Sequence, residues 1–73
     1  TALDGGADGL DFYRRISQDA SVNLKKGGFL ILEIGSDQAD SVSSLLEASE
    51  DYEDIEIHKD LAGLDRVVIC RKR

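Results

Sequence analysis

The stretch that decides the fold is Gly27–Gln38, which reads GGFLILEIGSDQ. Within it, Phe29–Ile34 is apolar at every position except Glu33. A strand without alternation of apolar and polar residues is usually covered on both faces, as in a parallel sheet with helices on either side. Gly35 ends the strand, and a polar segment suited to a helix start follows. The stretch therefore predicts an α/β fold whose buried strand carries a carboxylate at its carboxyl end.

A helix over residues 9–25 is predicted before this strand, preceded by a loop over residues 1–8. Asp8 is a suitable N-cap, and Asp11 stands three residues later in the capping-box position. Lys25–Gly27 is typical of a helix end, with cations in the last turn and a glycine for the left-handed position. The predicted inner face of the helix consists of Leu10, Tyr13, Ile16, Ala20 and Leu24.

A second helix is predicted over residues 37–48, capped by Ser36 or Asp37. Its predicted inward residues are Ala39, Val42, Leu45 and Leu46. After a polar connection, strands are predicted over 55–59 and 66–71. The spacing between these two strands fits an antiparallel hairpin with a loop of roughly six residues.

Composition restricts the function classes. The 73 residues carry 9 basic and 15 acidic side chains, a net charge of −6, which argues against direct binding to nucleic acid. No apolar run approaches a membrane span, and no Cys/His cluster has metal-site spacing. With one cysteine no internal disulfide is possible, so we expect a cytoplasmic protein. The sequence begins with threonine and contains no methionine, and we expect it to be a piece of a longer protein.

Three segments of the chain resemble a known family. They are ALDGGADGLDFYRRI (Ala2–Ile16), GGFLILEIGSDQ (Gly27–Gln38) and KDLAGLDRVVICRK (Lys59–Lys72). Together they look like the C-terminal part of the HemK-type methyltransferases, in register over essentially the whole chain. That family uses S-adenosylmethionine to methylate the side-chain amide nitrogen of a glutamine in peptide-chain release factors.

The resemblance implies the C-terminal part of a Rossmann-like class I methyltransferase sheet. That sheet has seven strands in the order 3-2-1-4-5-7-6, and its seventh strand is antiparallel. Residues 29–34 would be the fifth strand, 55–59 the sixth and 66–71 the seventh, which gives the local order 5-7-6. The helix over 9–25 would be the crossover that leads into the fifth strand.

The resemblance also implies what lies elsewhere. The family binds its cofactor at a glycine-rich turn after the first strand and an acidic residue after the second, and its substrate at an Asn-Pro-Pro-Tyr segment. This chain has no proline. The resemblance therefore implies that S-adenosylmethionine is bound by the missing part of the domain, that no residue of this chain binds it, and that the chain alone is inactive. The implied partner is a release factor.

Glu33 has two open interpretations. It lies at the carboxyl end of its strand, where ligands bind in open parallel sheets, so it could form part of the cleft wall. Alternatively, backbone N–H groups near Ser36–Gln38 could satisfy its carboxylate. The loop that the family places near its cleft supplies the substrate-loop candidates, namely Leu3, Asp4, Gly5, Gly6 and Asp8.

Two other functions compete with this prediction. One is a stand-alone α/β interaction module, and the other is a related methyltransferase with another protein or a nucleic-acid substrate. His58 is expected at the surface, and Cys70 is expected to be a small core residue rather than a nucleophile. Without a neighbouring strand, one edge of residues 29–34 would be bare, so we expect the isolated chain to self-associate through it.

Overall fold

The computed structural model describes residues 9–73, which form two helices and one sheet. The elements are α1 (Asp11–Asn23), β1 (Phe29–Glu33), α2 (Ala39–Ser49), β2 (Tyr52–Lys59) and β3 (Asp65–Lys72). The sheet has the order β1-β3-β2, and β3 is antiparallel to both neighbours. This arrangement confirms the predicted order, in which the last strand lies between the other two.

Both helices are shorter at the amino end than predicted. The N-cap positions are Leu10 for α1 and Gln38 for α2, and neither makes a side-chain capping bond. The prediction of Ser36 or Asp37 as a cap was therefore wrong. The physical reason is a turn that closes with a hydrogen bond of 3.0 Å from the N–H of Gln38 to the carbonyl of Gly35, so that α2 starts later. Asp8, the predicted cap of α1, lies outside the described residues.

The predicted carboxyl end of α1 also differs from the structure. The helix ends at Asn23, and Leu24 is extended with ψ of 138°. Lys25 is therefore beyond the helix rather than in its last turn. Gly27 does adopt the left-handed conformation expected of it, with φ of +86°, but in the turn between α1 and β1 rather than directly after the helix.

The second strand is longer than predicted, because it begins at Tyr52 instead of residue 55. Its pairing with β3 shifts between Glu53 and Glu56, where Asp54 has a φ of +54°. Such a bulge interrupts the alternation of side chains, and the period-two pattern is visible in the sequence only after it. The segment that reads as a polar connection is thus partly strand.

Both helices cover the same face of the sheet. The core contains side chains of α1, of α2 and of all three strands, and the fully buried ones are Val42, Leu46, Tyr52, Val68 and Cys70. Full burial of a valine or leucine side chain stabilises the folded state by about 1.5–3 kcal/mol. Predicted inward residues of α2 are confirmed here, with Ala39 buried and Leu45 packed against the core.

The other face of the sheet is open, contrary to the prediction of helices on either side. Phe29 and Ile31 are each 63% exposed on it. Their partners across the pairing with β3 are Arg71 and Ile69, which lie on the same face. Because no described segment covers this face, an apolar strip of β1 and β3 remains in contact with solvent.

Candidate functional site at the carboxyl end of the sheet

The candidate site lies at the end of the sheet where β1 and β2 terminate and β3 begins. Both β1 and β2 are antiparallel to β3, so they run in the same direction and end at the same edge. The loop over residues 60–64 connects β2 to β3 there. A hydrogen bond of 2.9 Å from the N–H of Ile34 to the carbonyl of Arg66 joins the end of β1 to the start of β3. In open parallel α/β sheets, ligands bind beyond the carboxyl ends of the strands.

The side-chain amide of Gln38 links three segments at this end of the sheet. The Oε1 atom of Gln38 accepts hydrogen bonds from the N–H of Gly35 at 2.9 Å and from the hydroxyl of Tyr13 at 3.0 Å. The carbonyl of Glu33 lies 3.3 Å from the same hydroxyl. Gln38 thus connects α1, the end of β1 and the start of α2. The sequence interpretation missed this residue, and its only signal was a glutamine three positions after the strand-ending glycine.

The side chain of Glu33 is exposed on the open face of the sheet. Within residues 9–73, no group donates a hydrogen bond to its carboxylate. The predicted alternative, in which backbone N–H groups of the next turn satisfy it, does not occur. The N–H of Gly35 goes to the side chain of Gln38, and the N–H of Gln38 goes to the carbonyl of Gly35.

The turn after β1 does not fit a cofactor cradle. A Cβ atom placed on Gly35 would lie 3.1 Å from Oε1 of Gln38 and 3.2 Å from Oδ1 of Asp37. The space that a glycine leaves open is therefore filled by the chain's own side chains. Since the N–H of Gly35 is also occupied, Gly35 offers neither the room nor the free donor that close approach of a ligand to this residue requires.

The loop over residues 60–64 is held by the carboxylate of Asp60. Its Oδ1 accepts the N–H groups of Ala62 at 2.9 Å and Leu64 at 3.1 Å, and its Oδ2 accepts Nη2 of Arg66 at 3.3 Å. The backbone N–H of Leu64, followed by the backbone N–H of Ala62 and the guanidinium of Arg66, lowers the pKa of Asp60 below its ordinary value. The left-handed φ of +83° at Gly63 completes the turn. The loop is thus organised around one ionised carboxylate.

His58 and Cys70 lie in different surroundings, one exposed and one buried. His58 is exposed, and its Nε2 lies 2.9 Å from Oε1 of Glu56. Cys70 is buried in the core, and burial raises the pKa of its thiol to about 11, so it is not an activated nucleophile. In the part of the chain that the structure describes, no group of three His, Cys, Asp or Glu residues could hold a metal ion, and no helix there could cross a membrane.

The substrate-loop candidates Leu3, Asp4, Gly5, Gly6 and Asp8 lie outside the described residues. Gly9, the first described residue, lies near Gln38, because a Cβ atom placed on it would be 3.9 Å from Nε2 of Gln38. Gly9 is therefore at the same end of the sheet as the end of β1.

Comparisons with known proteins agree on one group of enzymes. The chain is 54% identical over 69 residues to a release factor glutamine methyltransferase of Clostridium acetobutylicum, covering 94% of this chain and 24% of the relative. It is 47% identical over 70 residues to that of Synechocystis sp., covering 96% of this chain and 23% of the relative. No protein-family model matches. The chain spans about a quarter of the length of these relatives.

A solved structure shows the same fold. The crystal structure of a release factor-specific protein-(glutamine-N5) methyltransferase from Alicyclobacillus acidocaldarius superposes with a TM-score of 0.70 at 35% identity. The match covers 90% of this chain and 42% of that one. The three strands and two helices therefore correspond to part of a methyltransferase fold.

Proposed function

Because the chain belongs by sequence to the release factor glutamine methyltransferases and spans about a quarter of their length, we propose that it forms the C-terminal flank of such an enzyme's catalytic domain. In this proposal β1, β2 and β3 are the fifth, sixth and seventh strands of the larger sheet. The observed order β1-β3-β2 supports this assignment.

The observation that carries the proposal is the open apolar surface of the sheet. Phe29 and Ile31 are each 63% exposed, and β1 lies at the end of the strand order, paired among the described residues with β3 alone. A chain of this size has little apolar burial to spare. An open face next to a strand that is paired on one side only is what remains when the adjoining strands and the helices of a larger domain are separate from this segment.

The proposed reaction transfers a methyl group from S-adenosylmethionine to the side-chain amide nitrogen of a glutamine in a release factor. The donor supplies an electrophilic methyl group on a sulfonium. Because the turn at Gly35 does not fit a cofactor, we assign donor binding to the rest of the domain and expect this chain alone to be inactive. Release factors act in translation, so the cytoplasm is the proposed location.

In this proposal, the chain contributes one wall of the substrate cleft. An amide nitrogen is a weak nucleophile, so its orientation toward the methyl group matters more than removal of its proton. The fixed turn at Gly35 and Gln38 gives this wall a defined shape, and Glu33 adds a carboxylate without a partner in residues 9–73. We assign Glu33 to the rim of the cleft rather than to general-base catalysis.

A chimera tests the proposal. The matching segment of the Clostridium acetobutylicum relative is replaced by residues 1–73, and methyl transfer from labelled S-adenosylmethionine to a release factor is measured. We expect the chimera to methylate the release factor and residues 1–73 alone to be inactive. A chimera that is folded by circular dichroism but inactive would refute the proposal.

A further inference from the structure

The hairpin between β2 and β3 exposes apolar side chains at the end of the sheet where β1 and β2 terminate. Leu61 is fully exposed in the loop over residues 60–64, and Leu64 is 48% exposed. Ile57, two residues before the end of β2, is 40% exposed. Burial of these side chains within residues 9–73 does not explain their presence, because none of them belongs to the core.

The loop that carries Leu61 is preorganised. In addition to the three contacts of its carboxylate with Ala62, Leu64 and Arg66, Asp60 donates its N–H to the carbonyl of Leu64 at 2.8 Å. The carbonyl of Asp60 accepts the N–H of Gly63 at 3.0 Å. A loop fixed in this way loses little conformational entropy when a partner binds, which favours recognition.

We propose that the loop over residues 60–64 is a docking surface for the protein substrate, with Leu61 and Leu64 contacting an apolar patch of the release factor outside its glutamine. This inference deepens the proposed function and rests on it. The loop lies at the end of the sheet where β1 and β2 terminate. In the larger parallel sheet of the proposed function, this is the side on which ligands bind. Phe29 and Ile31, by contrast, lie on the face of the sheet, where the rest of the domain would pack.

The charges beside the loop fit such a docking site. Lys59 pairs with Asp65 at 2.7 Å, and Arg66 pairs with Asp60 at 3.3 Å. These two ion pairs lie beside Leu61 and Leu64, and each pair has no net charge. An apolar centre inside a rim of polar groups is the usual organisation of a protein–protein contact.

The experiment uses the active chimera with the substitution Leu61→Ser. Kinetics are measured with an intact release factor and with a short peptide that contains the glutamine. We expect the KM for the release factor to rise about tenfold, as for a central contact of an interface, while kcat and the kinetics with the peptide stay unchanged. Val22→Ser, at a position on α1 that is 81% exposed, is the matched control and should change nothing. Leu61→Met should keep the KM of the parent.

The outcomes separate the two proposals. If the parent chimera is folded and inactive, the proposed function fails and the docking inference fails with it. If the parent is active and Leu61→Ser leaves the KM for the release factor within twofold, only the docking inference fails. A fall in kcat, or an equal loss with the peptide, would also overturn it, because the loop would then act on the reaction centre. Titration calorimetry of release-factor binding provides the same comparison without turnover.

Discussion

The hydroxyl of Tyr13 lies 3.0 Å from Oε1 of Gln38, and the same oxygen accepts the N–H of Gly35 at 2.9 Å. We expect Tyr13→Phe to lower the free energy of unfolding by about 1 kcal/mol, because Gln38 keeps its other donor and the ring stays in place. Urea denaturation of the chimera measures this difference.

Gln38→Leu provides the comparison for this prediction. It removes the acceptor of both donors at once. The N–H of Gly35 is then unpaired, and the hydroxyl of Tyr13 keeps only its longer contact of 3.3 Å with the carbonyl of Glu33, so we expect a loss of about 2 kcal/mol or more. Equal losses for the two variants would contradict the view that Gln38 is the residue connecting α1, β1 and α2.

Glu33→Gln tests the assignment of this residue to the cleft. The side chain is exposed and has no hydrogen-bond partner in residues 9–73, so we expect the free energy of unfolding to change by less than about 0.5 kcal/mol. If the carboxylate contacts the substrate, kcat/KM of the chimera should fall about tenfold, which corresponds to one lost charged hydrogen bond. Glu47→Gln, at an exposed position of α2, is the control. Unchanged methylation in both variants would remove Glu33 from the site.

The sequence predicted the fold best where the spacing of apolar residues reflects which side chains are buried. The inward face of α2 was predicted from helical spacing, and Val42 and Leu46 are indeed fully buried. The position of β3 between β1 and β2 came from the family resemblance, and the structure confirms it. Short apolar and polar alternation could not by itself have specified which strands are neighbours.

Features that depend on tertiary contacts were not predictable. Asp54 adopts a φ of +54° and shifts the pairing of β2, although nothing in its neighbourhood of acidic residues distinguishes a bulge from a loop. Gln38 was missed because its partners, Tyr13 and Gly35, come together only in the folded chain. The continuous apolar pattern of β1 predicted two covered faces, but the cover for one of them is not part of residues 9–73.

Ile31→Lys should weaken self-association of the isolated chain and destabilise the chimera. We predict that residues 1–73 alone self-associate at high micromolar concentration through the edge of β1. A lysine there should weaken this association, since charge on an edge strand opposes pairing. In the chimera, the rest of the domain would cover Ile31, so the lysine should destabilise it by about 3 kcal/mol.

Sedimentation velocity and urea denaturation measure the two effects of Ile31→Lys. Val22→Lys is the matched control, because Val22 is 81% exposed on α1 and should tolerate the charge in both proteins. A stable monomer of the unsubstituted chain would contradict the self-association. A chimera that tolerates the lysine at residue 31 would show that the open face of the sheet is not covered by the remainder of the domain.

Asp60 should make stability depend on acid pH. Hydrogen bonds from the N–H groups of Leu64 and Ala62 and from Arg66 lower the pKa of its carboxyl in the folded state. The folded value therefore lies below the unfolded one, which is about 3.9 for aspartate. The ionised carboxylate stabilises the loop fully above the unfolded pKa, and this contribution is lost as the pH falls through the folded pKa.

Asp60→Asn isolates this contribution, because every other carboxyl group titrates equally in both proteins. We expect the difference in free energy of unfolding between the parent chimera and the variant to be constant near neutral pH and to shrink as the pH falls below about 4. Because two of the three residues that donate to the carboxylate do so through backbone N–H groups rather than a charged side chain, most of the difference should persist in about 1 M salt. Urea denaturation across this pH range measures it, and a difference that did not change with pH would show that the carboxylate of Asp60 does not hold the loop.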